Sequence, residues 1–194
     1  MTEPKPLKFK KLDNFLSEKQ LTEHHDVLYV GYCKKIDEIR EKLKTIEKDA
    51  NATYSHFRAL KIAESFAWNG VLLHEAYFEN LGGNGKANGT ILALIKRDFG
   101  SFEKWVEDFK ACCMSARGWV VLVYDLNDKK LHNYICDAHN QFGIWSAIPL
   151  VVMDMYEHAY FIDYGTNKKA YIDIFMGSID FIYSNNTIRC FKLE

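Results

Sequence analysis

The chain has 194 residues, of which 48% are hydrophobic and 14% aromatic, so it has enough apolar surface for one large domain or two small subdomains that share a core. Its formal net charge of −1 is not the basic footprint of a protein that binds nucleic acid or an anionic membrane. The charged amino terminus lacks the apolar stretch of a signal peptide, no segment has the roughly 18 apolar residues of a membrane-spanning helix, and the five cysteines show no CxxC spacing. We therefore expect a cytoplasmic protein with free thiols, no nucleic-acid partner and no membrane partner.

The first half of the chain has the patterns of helices. Ser17 is a candidate N-cap for a helix that carries Leu21 and Leu28 at helical spacing. A second amphipathic helix follows, in which apolar residues recur three or four apart from Ile36 to Ile46. A long helix is predicted over 55–80, ended by a loop rich in glycine and asparagine, and two shorter helices are predicted over 90–99 and 101–115.

Around Gly118 the pattern changes from helix to strand. Residues 119–124 form a continuous apolar run, 131–136 follow after a polar turn, and 148–153 form a third apolar run. We expect a three-stranded antiparallel sheet, followed by packing helices over 168–191. The sequence thus predicts an α+β fold, with an N-terminal α-helical hairpin domain over 1–84 and a C-terminal α/β domain over 85–194.

Three of the seven histidines lie where a metal ligand would be useful. His74 lies on the apolar stripe of the long helix, where a hydrogen-bonded core histidine is the alternative interpretation. Asp154 directly follows an apolar strand and precedes His158 by four residues. A buried carboxylate needs a cation or several donors, so a structural salt bridge is the alternative there. His24 on its own has the pattern of a surface histidine.

Imidazole and carboxylate groups together suit iron, manganese or zinc, and the lack of cysteine ligands argues against a structural zinc site. Three neutral imidazoles and one carboxylate would leave a trivalent ion with residual positive charge. Such a site attracts a small anion.

Several short motifs occur in order along nearly the whole chain. They are Leu16-Ser17 followed by His24, then Leu73-His74-Glu75-Ala76-Tyr77-Phe78, Gly118-Trp119, and Asp154-Met155-Tyr156-Glu157-His158-Ala159-Tyr160. Together they resemble the iron/manganese superoxide dismutase family. The last motif is similar to the D-x-W-E-H-A-Y signature of that family, with Tyr156 in place of tryptophan.

The resemblance implies a ligand set and a reaction. One iron or manganese ion would cycle between its trivalent and divalent states and convert superoxide to O₂ and hydrogen peroxide, held by His24, His74, Asp154 and His158. Three further catalytic side chains are implied: Tyr32 beside the substrate channel, Trp119 lining the metal pocket, and Gln141 hydrogen-bonded to the solvent ligand. Glu157 would contact His158 of the partner subunit across a homodimer.

The metal itself stays open at this point. Gly70 and Gln141 resemble the manganese members of the family, whereas Val152 resembles the iron members. An enzyme that works with either metal is a third alternative.

Two positions depart from the family pattern. Leu28 stands where the family has a channel histidine, and Phe161 stands where it has the tyrosine that bonds this histidine across the dimer. The alternative to a normal dismutase is therefore a metalloprotein of the same fold with weak or altered redox activity, or a binding or structural module. An alternative alignment, in which Tyr29 takes the place of the channel tyrosine, would leave no histidine at the first ligand position.

Overall fold

The computed structural model describes residues 1–193, and its helices and strands follow the predicted order. They are α1 (Glu18–Thr22), a π-helical segment (Glu23–Tyr29), α2 (Val30–Thr45), α3 (His56–Glu79), α4 (Gly89–Phe99), α5 (Phe102–Ser115), β1 (Trp119–Asp125), β2 (Lys130–Cys136), β3 (Ala147–Asp154), a 3₁₀ turn (Glu157–Ala159), α6 (Phe161–Tyr164), α7 (Lys168–Ser178) and α8 (Phe181–Phe191). Within this part of the chain, no helix is long and apolar enough to cross a membrane.

The helices of the first half form an antiparallel hairpin, because α2 packs along α3. Ser17 and Ser55 cap α1 and α3, each with a side-chain oxygen that accepts a hydrogen bond from a backbone N–H of the first turn. Farther along the hairpin, the Arg40 guanidinium lies 4.5 Å from the ring centroid of Trp68. The predicted helical hairpin is therefore present.

The sheet has three antiparallel strands in the order β2-β1-β3. The central strand β1 is buried along its whole length, as a strand covered on both faces should be. Its first residue, Trp119, pairs with Cys136 on one side and with Asp154 on the other. The register thus brings the predicted pocket tryptophan next to a predicted ligand, and the predicted α+β class is confirmed.

The loop between α3 and α4 joins the two halves through main-chain contacts. The N–H of Gly83 donates to the carbonyl of Ser178, and the N–H of Gly85 donates to the carbonyl of Ile179. A Cβ atom at Gly83 would lie 2.2 Å from that Ile179 oxygen, so only glycine allows this approach. The domain division at residue 84 falls in this loop and stays a prediction.

Candidate metal centre

The first ligand candidate, His24, lies on the π-helical segment. Seven residues there, Glu23–Tyr29, wind more widely than an α-helix, a feature that is frequent at functional sites. The wider turn buries two adjacent histidines, His24 and His25. His25 faces away from the candidate site, since its Nε2 is 2.9 Å from the carbonyl oxygen of Lys5 and its Nδ1 is 2.7 Å from Asp26.

His74 is held in one orientation by its own helix. Its Nδ1–H donates to the carbonyl of Gly70 one turn earlier, at 2.6 Å, which leaves Nε2 unprotonated. Gly70 also makes room for Tyr32, because a Cβ at this position would lie 3.1 Å from the Tyr32 ring. The absence of a side chain at residue 70 therefore lets the tyrosine lie against the ligand.

Asp154 and His158 come from the end of β3 and the 3₁₀ turn. The N–H of Tyr156 donates to Oδ1 of Asp154 at 2.9 Å, so this oxygen is occupied and Oδ2 faces the histidines. The Tyr171 hydroxyl donates to the main-chain carbonyl of Asp154 at 2.9 Å. The carboxylate is thus fixed from both its side chain and its backbone.

The four candidate ligands converge on one carboxylate oxygen. Oδ2 of Asp154 lies 3.1 Å from Nε2 of His24, 3.1 Å from Nε2 of His158 and 3.6 Å from Nε2 of His74. One donor atom from each residue lies within 4.8 Å of all the others. Two ligands that each lie about 2.1 Å from an ion are about 3.0 to 4.2 Å apart, so the cluster is close to the size that one ion requires.

The chemistry of these donors fits an iron or manganese ion. Nε2 of His74 is buried and has no hydrogen-bond partner in the described chain, so a cation would satisfy its lone pair. Nδ1 of His24 also lacks a partner, which a metal at Nε2 does not explain. With three imidazoles, one carboxylate and no thiolate, the set is unlike that of a structural zinc site.

The protonation states also favour a cation. Burial lowers the pKa of His24 and holds that of His74 well below its usual value, so both imidazoles are neutral. Burial alone would raise the pKa of Asp154, but the charge and hydrogen bond of His158 and the hydrogen bond from His24 outweigh it and hold that pKa well below its usual range. The pocket therefore presents a carboxylate and two neutral imidazoles. At His158, burial alone would lower the pKa, but the charge and hydrogen bond of Asp154 outweigh it and raise that pKa, so a bound metal ion would displace a proton there.

A hydrogen-bonded row of three side chains lies against the cluster. The Trp119 indole N–H donates to Nδ1 of His139 at 2.9 Å, and Nε2 of His139 lies 2.9 Å from the Tyr32 hydroxyl. The rings of Trp119 and Tyr32 both contact that of His74, with centroids 5.0 and 5.5 Å away. The structure thus brings these two sequence-predicted residues to the site, while their catalytic roles stay predictions.

Gln141 is not part of this row, and the prediction for it is corrected here. Its side chain is exposed, and its backbone N–H donates to the carbonyl of Ala138 in a turn after β2. His139, two residues earlier, is buried and occupies the place between Trp119 and Tyr32. Only its residue type marked it in the sequence, because an imidazole can accept at one nitrogen and donate at the other, as a glutamine amide does.

The alternative alignment of the first ligand region does not fit the structure. Tyr29, which it placed at the channel, donates from its hydroxyl to Glu75 at 3.0 Å and accepts from the N–H of Lys5 at 2.9 Å. His24 belongs to the cluster, and Tyr32 reaches His139. The alignment that assigns His24 and Tyr32 is the one that the fold supports.

The two positions that depart from the family pattern lie toward the surface. Leu28 is half-buried on the π-helical segment, and Phe161, at the start of α6, is 47% exposed. Glu157 is exposed, and the adjacent His158 side chain is 28% exposed, which makes it the least covered of the candidate ligands.

Comparison with known proteins agrees with this arrangement. A family profile described as "Iron/manganese superoxide dismutases, C-terminal domain" matches residues 87–187. The chain is 38% identical over 171 residues to superoxide dismutase (Fe) of Aquifex pyrophilus, covering 85% of this chain and 80% of that protein. It is 35% identical over 181 residues to superoxide dismutase (Mn) of Haloarcula marismortui, covering 91% and 87% of the two chains. It is also 36% identical over 167 residues to superoxide dismutase (Fe) of Cupriavidus metallidurans, covering 84% of each.

Two of these relatives are named for iron and one for manganese. The predicted family is confirmed, and a cofactor of iron or manganese agrees with both the family and the donor set. On this combined evidence of sequence, fold and ligand geometry, the chain belongs to the iron/manganese superoxide dismutase family.

Proposed function

We propose that the chain is a superoxide dismutase that converts superoxide to O₂ and hydrogen peroxide with one iron or manganese ion. The observation that carries the proposal is the buried convergence of three imidazole nitrogens on Oδ2 of Asp154, from His24, His74 and His158. An ion bound there supplies one-electron oxidation of one superoxide and one-electron reduction of the next.

The residues beside the cluster set the direction of a hydrogen-bond chain. The Trp119 indole can only donate, so Nδ1 of His139 accepts and, in the neutral ring, Nε2 carries the proton. Burial lowers the pKa of His139 to about 4, so the ring is neutral near pH 7. Nε2–H then donates to the Tyr32 oxygen, which leaves the Tyr32 proton free to be donated toward the substrate.

The same tyrosine holds its proton firmly. Burial and the charge of Asp154 raise the pKa of Tyr32 above its ordinary value. A hydroxyl of this kind acts as a hydrogen-bond donor near neutral pH and is not ionised. Tyr32 would therefore orient an anion or a water molecule. It would donate its own proton only if a second proton reached it from solvent at the same time.

We further propose that the working form is a homodimer in which Glu157 bonds His158 of the partner subunit. Within residues 1–193, the only hydrogen bond of the His158 ring is the one from Nε2 to Asp154, so Nδ1 is available to a carboxylate. Glu157 is exposed beside it, as are the apolar residues Phe161 and Ile162. Sedimentation analysis should show a dimer that Glu157→Ala weakens; a monomeric wild-type protein would contradict the proposal.

A cytoplasmic location is also proposed, on the support of the cysteines. Cys33, Cys112, Cys113, Cys136 and Cys190 are all free thiols. Fractionation of the source cells should recover the protein with cytoplasmic markers, and recovery in an oxidising compartment would refute this location.

The function is tested by loading purified protein separately with iron and with manganese, then measuring metal content and the direct decay of superoxide. His74→Gln removes a ligand, whereas His132→Gln makes the same change on β2, where the histidine pairs with Asp128 away from the cluster. We expect the first variant to lose more than the roughly 10- to 100-fold in metal affinity or activity that follows loss of an outer contact, and the second to match the wild type.

Two outcomes would separate the remaining alternatives. Wild-type protein that retains neither metal would refute the enzyme and favour a binding or structural module. Wild-type protein that retains metal but removes superoxide no faster than the free aqueous ion would favour altered redox activity.

A further inference from the structure

Gln20 is a fully buried amide on α1, four residues before the ligand His24. It is 0% exposed, although glutamine is usually found at the surface. Its side chain points across the fold to the segment that carries another ligand, His158. Gln20 lies outside both the ligand cluster and the row of Trp119, His139 and Tyr32.

Both ends of the Gln20 amide bind the backbone of that segment. Nε2 donates to the carbonyl of His158 at 2.6 Å, and Oε1 accepts from the N–H of Ile162 at 3.1 Å. The orientation of the amide follows from its partners, because the Ile162 N–H can only donate and the His158 carbonyl can only accept. The Ile162 N–H lies in the first turn of α6, so Gln20 also caps that short helix.

Two neighbouring hydrogen bonds run between the same segments. The N–H of Ser17 donates to Oδ2 of Asp163 at 2.7 Å, and the Tyr164 hydroxyl donates to the carbonyl of Phe15 at 2.6 Å. These contacts tie residues 15–20 to residues 158–164. Gln20 is the member of the set that binds a ligand residue directly.

The ligand that Gln20 binds is the one with the least support from its own element. His24 and His74 lie on long helical stretches and Asp154 ends a buried strand, whereas His158 lies in a three-residue 3₁₀ turn. It is also the only one of the four with an exposed side-chain fraction above zero. A short, partly exposed turn depends on hydrogen bonds from other segments to hold its ligand in one geometry.

We propose that Gln20 is a positioning residue, which fixes the backbone of His158 relative to the helix of His24 and so sets the geometry and retention of the metal ion. This inference rests on the metal site of the proposed function. Gln20 lies one helical turn before His24, and its side-chain amide binds the backbone of His158, so it links the first and the last candidate ligand along the chain.

Gln20→Leu tests the proposal, because leucine has a similar size but leaves the His158 carbonyl and the Ile162 N–H without partners. The chain offers a matched control in Asn185, whose Oδ1 accepts from the N–H of Ile91 at 3.1 Å and whose Nδ2 donates to the carbonyl of Asn88 at 3.0 Å. Asn185 is half-buried, and its Nδ2 also donates to the carbonyl of Phe181 at 3.1 Å. Asn185→Leu therefore removes amide-to-backbone bonds of the same kind at a position outside the candidate ligand cluster.

Three quantities would be measured on metal-loaded protein: the thermal midpoint, the rate of metal loss to a chelator, and the metal-centred spectrum. We expect Gln20→Leu to release metal about 10- to 100-fold faster than the wild type and to shift the spectrum. Asn185→Leu should also lower the thermal midpoint but should leave metal release and the spectrum unchanged.

Gln20→Glu provides a second variant in case the leucine protein does not fold. Glutamate keeps an acceptor for the Ile162 N–H but places an oxygen against the His158 carbonyl. It therefore removes the hydrogen bond to the turn that carries His158 and keeps the one to α6. We expect it to show the same change in spectrum and metal release.

The failures of the two proposals are distinguishable. If the wild type holds iron or manganese and the Gln20 variants behave like Asn185→Leu in spectrum and metal release, the positioning role is refuted and the metal site stands. If the wild type holds neither metal, the proposed function fails and this inference fails with it.

Discussion

The hydrogen-bonded row beside the metal cluster is tested most sharply at His139, which can be replaced by leucine or by glutamine. Leucine removes both nitrogen atoms and leaves the Trp119 indole N–H buried without an acceptor, since that side chain has no solvent exposure. An orphaned buried donor costs about 1 to 3 kcal/mol. For a chain of this size, that loss corresponds to a fall in Tm of roughly 2 to 12 °C.

Glutamine should behave differently, because its amide oxygen can accept from the indole and its amide N–H can donate to the Tyr32 hydroxyl. We expect the free energy of unfolding of His139→Gln to stay within about 1 kcal/mol of the wild type, and this variant should keep most of its superoxide turnover. His139→Leu should lose both stability and turnover. Thermal unfolding and superoxide decay on protein loaded to equal metal content measure the two effects.

A double-mutant cycle with Trp119→Phe isolates the contact between the indole and His139. If the orphaned indole N–H causes the loss, His139→Leu should cost less free energy of unfolding in the Trp119→Phe background than in the wild type. Additive losses, or a leucine variant as stable and active as the glutamine variant, would refute the reasoning.

Three further predictions concern the channel, the back of the ligand helix and the loop between the halves. Leu28→His alone should not raise superoxide turnover, because its imidazole lacks a partner, whereas the double change with Phe161→Tyr should; equal effects in both proteins would show that the positions are uncoupled. Tyr29→Phe removes two partly buried hydrogen bonds and should lower the free energy of unfolding by about 1 to 3 kcal/mol in thermal or urea unfolding, and no loss would contradict the observed contacts. Gly83→Ala should cost at least about 1 to 3 kcal/mol because its Cβ meets a carbonyl oxygen at 2.2 Å, while Gly143→Ala, which meets nothing within 4 Å, should be neutral; similar Tm values would refute the steric argument.

The helices and strands could be predicted from the sequence because their signals are local, and the four candidate ligands because they lie in motifs whose order resembles one family. Ser17 and Ser55 are residues of the type that cap the first turn of a helix, and the apolar runs at 119–124 and 148–153 indicate buried strands. The signature around His158 is a short contiguous motif. Signals of this kind need no knowledge of which segments meet in space.

Features that depend on meetings between distant segments could not be predicted. The resemblance to the family favoured Gln141 over His139. Choosing correctly between them requires the path of the turn after β2, which the sequence alone does not provide. It also gave no sign that Gln20 would bond residues more than 130 positions away. The π-helical segment escaped as well, since apolar spacing does not distinguish it from the α-helices on either side.

The distribution of the ligands along the chain gives the metal a second effect. His24 and His74 come from the helical hairpin, and Asp154 and His158 come from the end of the sheet, so one ion would bridge the two halves like a cross-link. A ligand that binds only the folded state stabilises it by about 4 kcal/mol when its free concentration is 1,000 times Kd. A chain that ends before residue 154 offers only two of the four candidate donors, so we expect full binding of the ion only after the end of the sheet has been made. The ion would then lock an arrangement that the glycine contacts between the halves had already brought into register.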